Sequence, residues 1–130
     1  ESDFMELMEF VRDQSFERLG VFRYSAEEGT RAYRRKPVPA AVAGDRFHRL
    51  MSLQREISLA YHRSLKGRVL PVIVDGVDEE TDRFFGRTRG DSLEIDGRVW
   101  IDGAIRPGEI LPVRILEASE YDLTGTVDWA

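Results

Sequence analysis

The chain has 130 residues, 42% hydrophobic and 33% charged, with no cysteine and a formal net charge of −5. That length allows one ordinary domain, or one small domain with a piece of another, and the composition gives no sign of disorder. Absent cysteine excludes a disulfide framework and any thiolate metal site, and no apolar run approaches the roughly 20 residues of a membrane span.

Phe4, Leu7, Met8 and Val11 recur at i, i+3, i+4 and i+7, the apolar stripe of a helix. Ser2 is its expected N-cap, and Asp3 and Glu6 suit the positive end of the helix dipole. Without an initiator methionine, Glu1-Ser2-Asp3-Phe4 reads as the start of a helix rather than a natural terminus. Leu19-Gly20-Val21-Phe22-Arg23-Tyr24 is a near-continuous apolar run, expected as a strand covered on both faces, as in parallel sheets. One strand and one helix cannot cover themselves. Residues 1–30 therefore read as the last α/β unit cut from a larger parallel-sheet domain.

Ser25-Ala26-Glu27-Glu28 fits the S-x-x-E capping box, with Gly29 stopping the turn. In α/β barrels the loops after the strands form the active face. Pro37-Val38-Pro39 marks a linker. A long helix is expected from Ala40 to Ser64, with Phe47, Leu50, Met51, Ile57 and Tyr61 on its apolar face and basic residues opposite. Gly44 weakens its first turns by roughly 1 kcal/mol relative to alanine. His48 and His62 read as helix-surface histidines, too far apart to share a metal.

After Lys66 the pattern changes to short apolar runs between glycines. Strands are expected at Val69–Val74, Phe84–Thr88, Arg98–Ile101, Ile110–Leu116 and Asp122–Val127. Asp75-Gly76 is expected to begin an acidic loop, and Pro107-Gly108 to centre a type II turn. Leu111, Val113 and Ile115 alternate with other residues, and Leu123, Gly125 and Val127 share a face. Five strands at this spacing imply a compact, OB-like antiparallel barrel.

Charge is segregated along the chain. Nine basic residues from Arg31 to Lys66 face only Asp45 and Glu56, whereas after Lys66 fourteen acids face seven arginines. An acidic barrel repels polyanions and attracts basic surfaces. Catalytic and metal motifs are missing: there is no H-E-x-x-H or G-x-S-x-G, and the acids Asp75 to Asp82 do not meet EF-hand spacing. Phe84, Phe85, Arg87 and Arg89 place aromatics beside arginines, as OB-type barrels do for single-stranded nucleic acid. The neighbouring acids Asp91, Glu94, Asp96 and Asp102 oppose that role.

Three segments carry a resemblance. The run Asp3 to Thr30, above all Phe16 to Thr30, resembles the end of the radical S-adenosylmethionine barrel in bacterial methylthiotransferases, and Arg49 to Ser58 looks like the helix that follows it. Residues 67–127 are similar to the appended TRAM domain, a small β-barrel. Within the family, Gly90-Asp91-Ser92-Leu93-Glu94-Ile95-Asp96-Gly97 and Glu120-Tyr121-Asp122-Leu123-Thr124-Gly125 are most similar to the branch that methylthiolates an aspartate of small-subunit ribosomal protein twelve. The transfer-RNA-modifying branch, the alternative, usually has a more basic barrel.

The resemblance implies an α+β fragment. Residues 1–36 would end a TIM-like radical S-adenosylmethionine barrel, 37–66 would form a linker and helix, and 67–130 the TRAM barrel. It also implies a transferase with two 4Fe-4S clusters and S-adenosylmethionine. One cluster would cleave S-adenosylmethionine to a radical, and the second would support sulfur delivery. Lacking every cluster cysteine, the chain alone is expected to be inactive, with no catalytic or metal residue and no bound cofactor. Val21 or Phe22 would touch the adenine end of S-adenosylmethionine. The barrel would dock the basic ribosomal protein, with Asp91, Glu94 and Asp96 supplying charge and Arg87 and Arg89 orientation. Transfer RNA fits the charge less well, the setting would be cytoplasmic with no membrane, and truncation could create an artefactual dimer through the exposed α/β unit.

Overall fold

The apolar stripe near the start forms helix α1, Ser2–Gln14, in the computed structural model, which describes residues 1–129. Ala130, the last residue of the expected barrel domain, lies outside them. Glu1 rather than Ser2 is the N-cap, and its carbonyl accepts the Met5 N–H at 2.9 Å. Phe4 and Val11 are buried and Met8 half-buried, but Leu7 sits on the rim of the stripe and stays exposed. Ser15 ends the helix in the left-handed region, φ 51°, with its N–H on the Val11 carbonyl.

Helix α2 spans Ala40–Ser64, the bounds read from sequence, and the proline linker precedes it without regular structure. The chain divides into two compact units, residues 1–57 and 58 onward. In the first, Phe4, Val11, Leu50 and Leu53 form an apolar cluster, with Met8, Leu19, Val21 and Ile57 packed on it. Each fully buried side chain of this size contributes about 1.5–3 kcal/mol. The Gln54 amide donates to the Phe16 carbonyl at 2.7 Å, tying the chain after α1 to α2. Arg49 lies over the Phe4 ring at 4.7 Å and reaches Glu1 at 2.8 Å, so part of the basic face of α2 is already engaged.

The expected strand Leu19–Tyr24 does not form. The segment is irregular, because a strand needs a neighbour for its N–H and C=O groups and the described residues supply none there. Val21 packs on the apolar cluster, whereas Phe22 is 92% exposed. The capping box at Ser25 is also replaced. Thr30 donates its hydroxyl to the Glu27 carbonyl at 2.8 Å and accepts the Tyr33 N–H at 3.3 Å, capping a single 3₁₀ turn at Ala32–Arg34.

The second unit is a barrel of β1 (Val69–Val77), β2 (Phe84–Thr88), β3 (Val99–Asp102), β4 (Ile110–Ala118) and β5 (Leu123–Val127). It closes in the order β1-β2-β3-β5-β4. Four pairs are antiparallel, but β3 and β5 run parallel, with Val99 opposite Leu123. The expected all-antiparallel barrel is therefore corrected to a mixed one. A closed ring of five strands cannot alternate direction throughout, so one parallel pair is unavoidable.

Alternation places Val72 and Val74 of β1, Val99 and Ile101 of β3, and Leu111, Val113 and Ile115 of β4 inside, with Leu123 completing the core. Pro107-Gly108 turns the chain into β4 with Gly108 at φ 91°, as its sequence requires. His62 is no surface histidine: it is 1% exposed, and its Nδ1 lies 2.7 Å from the Ser119 carbonyl. A carbonyl only accepts, so Nδ1 carries the proton. His62 thereby fastens the end of α2 to the β4–β5 connection. His48 is exposed as expected.

Candidate docking site

A bulge prepares one side of the site. β1 does not stop at Val74 but continues through Val77, and its register with β2 slips between Val74 and Gly76. Asp75 is the extra residue, so its carboxylate is re-aimed toward β2. There the Arg87 Nε–H lies 3.2 Å from both carboxylate oxygens. Arg87 is thus committed to a neighbour within the barrel.

The other side is the loop after β2, which folds on its own side chains. The Thr88 hydroxyl donates to Asp91 at 2.7 Å, and the Asp91 N–H donates to the Thr88 carbonyl at 3.1 Å. Asp91 is 9% exposed, an internal brace. Asp96 accepts the Ser92 N–H at 2.7 Å, closing the tip. Glu94 stands at that tip, exposed, with φ 63°. Non-glycine residues adopt this left-handed backbone at a cost of roughly 1 kcal/mol.

The far end of the loop is pinned to the chain before β5. A Cβ on Gly97 would lie 1.6 Å from the Tyr121 carbonyl oxygen, so only glycine permits the approach. Next to it, Asp122 accepts the Arg98 N–H at 2.9 Å and the Trp100 indole N–H at 3.1 Å. Between loop and strand lies a cleft of ≈ 210 Å³, lined by Asp75, Arg87, Glu94 and Asp96 with Phe85 and Leu93. Of the five docking residues expected from sequence, the fold brings Arg87, Glu94 and Asp96 to this cleft. It leaves Arg89 exposed beside the loop and Asp91 beneath it.

An outer strip flanks the cleft. Phe85 and Trp100 pack edge to face at 6.2 Å, with the Arg98 guanidinium 4.3 Å above Phe85 and that of Arg83 5.4 Å above Trp100. Arg98 pairs with Asp78 and Arg83 with Asp102, each at 3.3 Å. Hydrogen bonds from the Thr81 hydroxyl and backbone N–H, aided by Arg98, hold the Asp78 carboxyl below its ordinary range. The aromatic strip thus carries arginines whose charge is matched by acids of the barrel. Phe84 packs toward the core instead.

Sequence reasoning missed Asp75, Arg98, Trp100 and Asp122. Period-two alternation was a usable signal for two of them, since Arg98 and Trp100 face away from Val99 and Ile101. The bulge at Asp75 carried none. Among the described residues no three histidine, aspartate or glutamate side chains are grouped to hold a metal ion, and no helix is long and apolar enough to cross a membrane.

Comparison with known proteins places these features. Residues 67–127 match the TRAM domain family. A protein of Sorangium cellulosum named ribosomal protein uS12 methylthiotransferase RimO is 48% identical over 128 residues, 96% of this chain and 26% of that protein. Proteins of the same name match over 130 residues and 98% of this chain: one from Anaeromyxobacter sp. (strain K), 48% identical over 28% of its length. The other, from Myxococcus xanthus, is 45% identical over 27% of its length. The chain therefore spans about a quarter of the length of these curated relatives.

Proposed function

We infer function from one premise: residues 67–127 belong to the TRAM domain family, and the chain matches the C-terminal part of RimO-type methylthiotransferases. On that premise the chain is the substrate-docking part of a cytoplasmic enzyme that methylthiolates an aspartate of ribosomal protein uS12. The single observation that carries the docking role is charge. Fourteen acids face seven arginines after Lys66, and Arg83, Arg87 and Arg98 are each tied to an acid of the barrel.

The surface that remains is electronegative, and it attracts a basic protein and repels transfer RNA. Glu94, lifted at the loop tip, meets the cationic partner first, and Asp96 deepens the negative potential of the cleft. Arg89 orients the partner at the loop edge. Cluster chemistry, the supply of a substrate radical and of sulfur, does not fit these residues, since the chain contains no cysteine. What the first unit offers the reaction is Phe22, whose ring is open to an adenine, and Val21, which anchors the segment on the apolar cluster.

Titration of the chain with purified uS12, read by calorimetry over a range of salt, tests the docking role. Glu94→Gln should weaken binding about two- to fivefold at low salt and change nothing at high salt. Unaltered affinity at low salt for a Glu94→Gln/Asp96→Asn variant would show that the barrel docks by other means.

A further inference from the structure

The largest reserve of uncommitted positive charge among the described residues belongs to the first unit, in the loop that ends its irregular segment. Arg31, Arg34, Arg35 and Lys36 place four cations within six residues, and all four are exposed. Among the described residues none of them meets a carboxylate, whereas Arg46 and Arg49 on α2 are held by Glu1 and Asp45. The basic face of the helix is thus partly spent internally, and the basic loop is not.

The loop has a defined shape. Thr30 caps the turn at Ala32–Arg34, and Arg35 is extended at φ −87°, ψ 146°. Glu28, Gly29, Thr30, Arg31, Tyr33 and Arg34 line an open concavity, two arginines against one acid. An exposed aromatic ring stands among the cations: Tyr33, which lines the same concavity, is 48% exposed.

We propose that residues 29–36 bind the sugar–phosphate backbone of single-stranded RNA. Three of the four cations are arginines, whose planar fork matches phosphate oxygens in pairs. The Tyr33 ring offers a face on which a base stacks. The chain then presents surfaces of opposite sign, an acidic barrel for a basic protein and a basic loop for RNA. A basic ribosomal protein already seated on RNA satisfies both. The RNA contact rests on the loop's own charge and survives if the barrel docks nothing.

The test is fluorescence anisotropy with a labelled single-stranded RNA of about twelve nucleotides. Four phosphate contacts give a log–log salt slope of about −3, so affinity falls roughly fiftyfold between about 50 and 200 mM salt. Replacing Arg31, Arg34, Arg35 and Lys36 together by glutamine should cost at least tenfold at the lower salt and flatten the slope, with circular dichroism unchanged. Glu94→Gln should leave RNA binding intact, which separates this site from the barrel. Equal RNA affinity in the quadruple variant, or displacement of RNA by an oligoglutamate of the same length at equal concentration, would overturn the proposal.

Discussion

The barrel and the segment Leu19–Lys36 treat their polar groups in opposite ways. In the barrel every strand has two neighbours, and the arginines Arg83, Arg87 and Arg98 each find an acid of the same unit. In the segment Phe22 faces solvent, and among the described residues the backbone has no partner strand and the four cations from Arg31 to Lys36 meet no carboxylate. A closed sheet satisfies itself and can expose only what is left over, here negative charge. An isolated segment leaves its hydrogen bonds, its rings and its charges to be satisfied elsewhere.

The contrast breaks most sharply at Gly97. Gly97→Ala forces a side chain into the Tyr121 carbonyl, and the barrel should lose about 3 kcal/mol in urea unfolding together with the pinned loop. His62→Ala should cost roughly 2–4 kcal/mol, by the cavity it leaves and the Ser119 carbonyl it orphans. Hydrogen exchange should show the loss in the barrel, with residues 1–57 retaining their protection.

Smaller changes sharpen the comparison. Phe22→Ser should alter stability by less than about 0.5 kcal/mol, since the ring is 92% exposed; a larger loss would mean that the segment packs after all. Thr81→Ala should raise the Asp78 carboxyl toward its ordinary value, observable by NMR titration, because the hydroxyl is the largest cause of the lowering. The sign follows from linkage. The folded-state pKa of Asp78 lies below its unfolded value, so its contribution is present above the ordinary carboxylate range and lost as pH falls through the lowered pKa.

Much of this was legible in residue order. The bounds of α2, the five strands, the inward alternation of Leu111, Val113 and Ile115, and the turn at Pro107-Gly108 all follow from period, propensity and turn chemistry. The acidic bias of the barrel is a matter of counting. These features are local, or nearly so, and local rules reach them.

What the order of residues could not settle was each group's partner. Asp91 and Glu94 look alike in the sequence, yet one braces the loop from beneath and the other stands at its tip. His62 and His48 share a helix, and only tertiary packing buries the first against Ser119. Leu19–Tyr24 has the composition of a strand, but strand structure belongs to a pair and not to a segment. Even the parallel pairing of β3 with β5 arises from closing an odd ring, a condition that no single strand carries. Composition and period thus determined α1, α2, the five strands of the barrel and the sign of its charge, because both act over neighbouring residues. Which charges are paired and which are left exposed was decided by contacts between residues far apart in the chain, which only the folded structure creates.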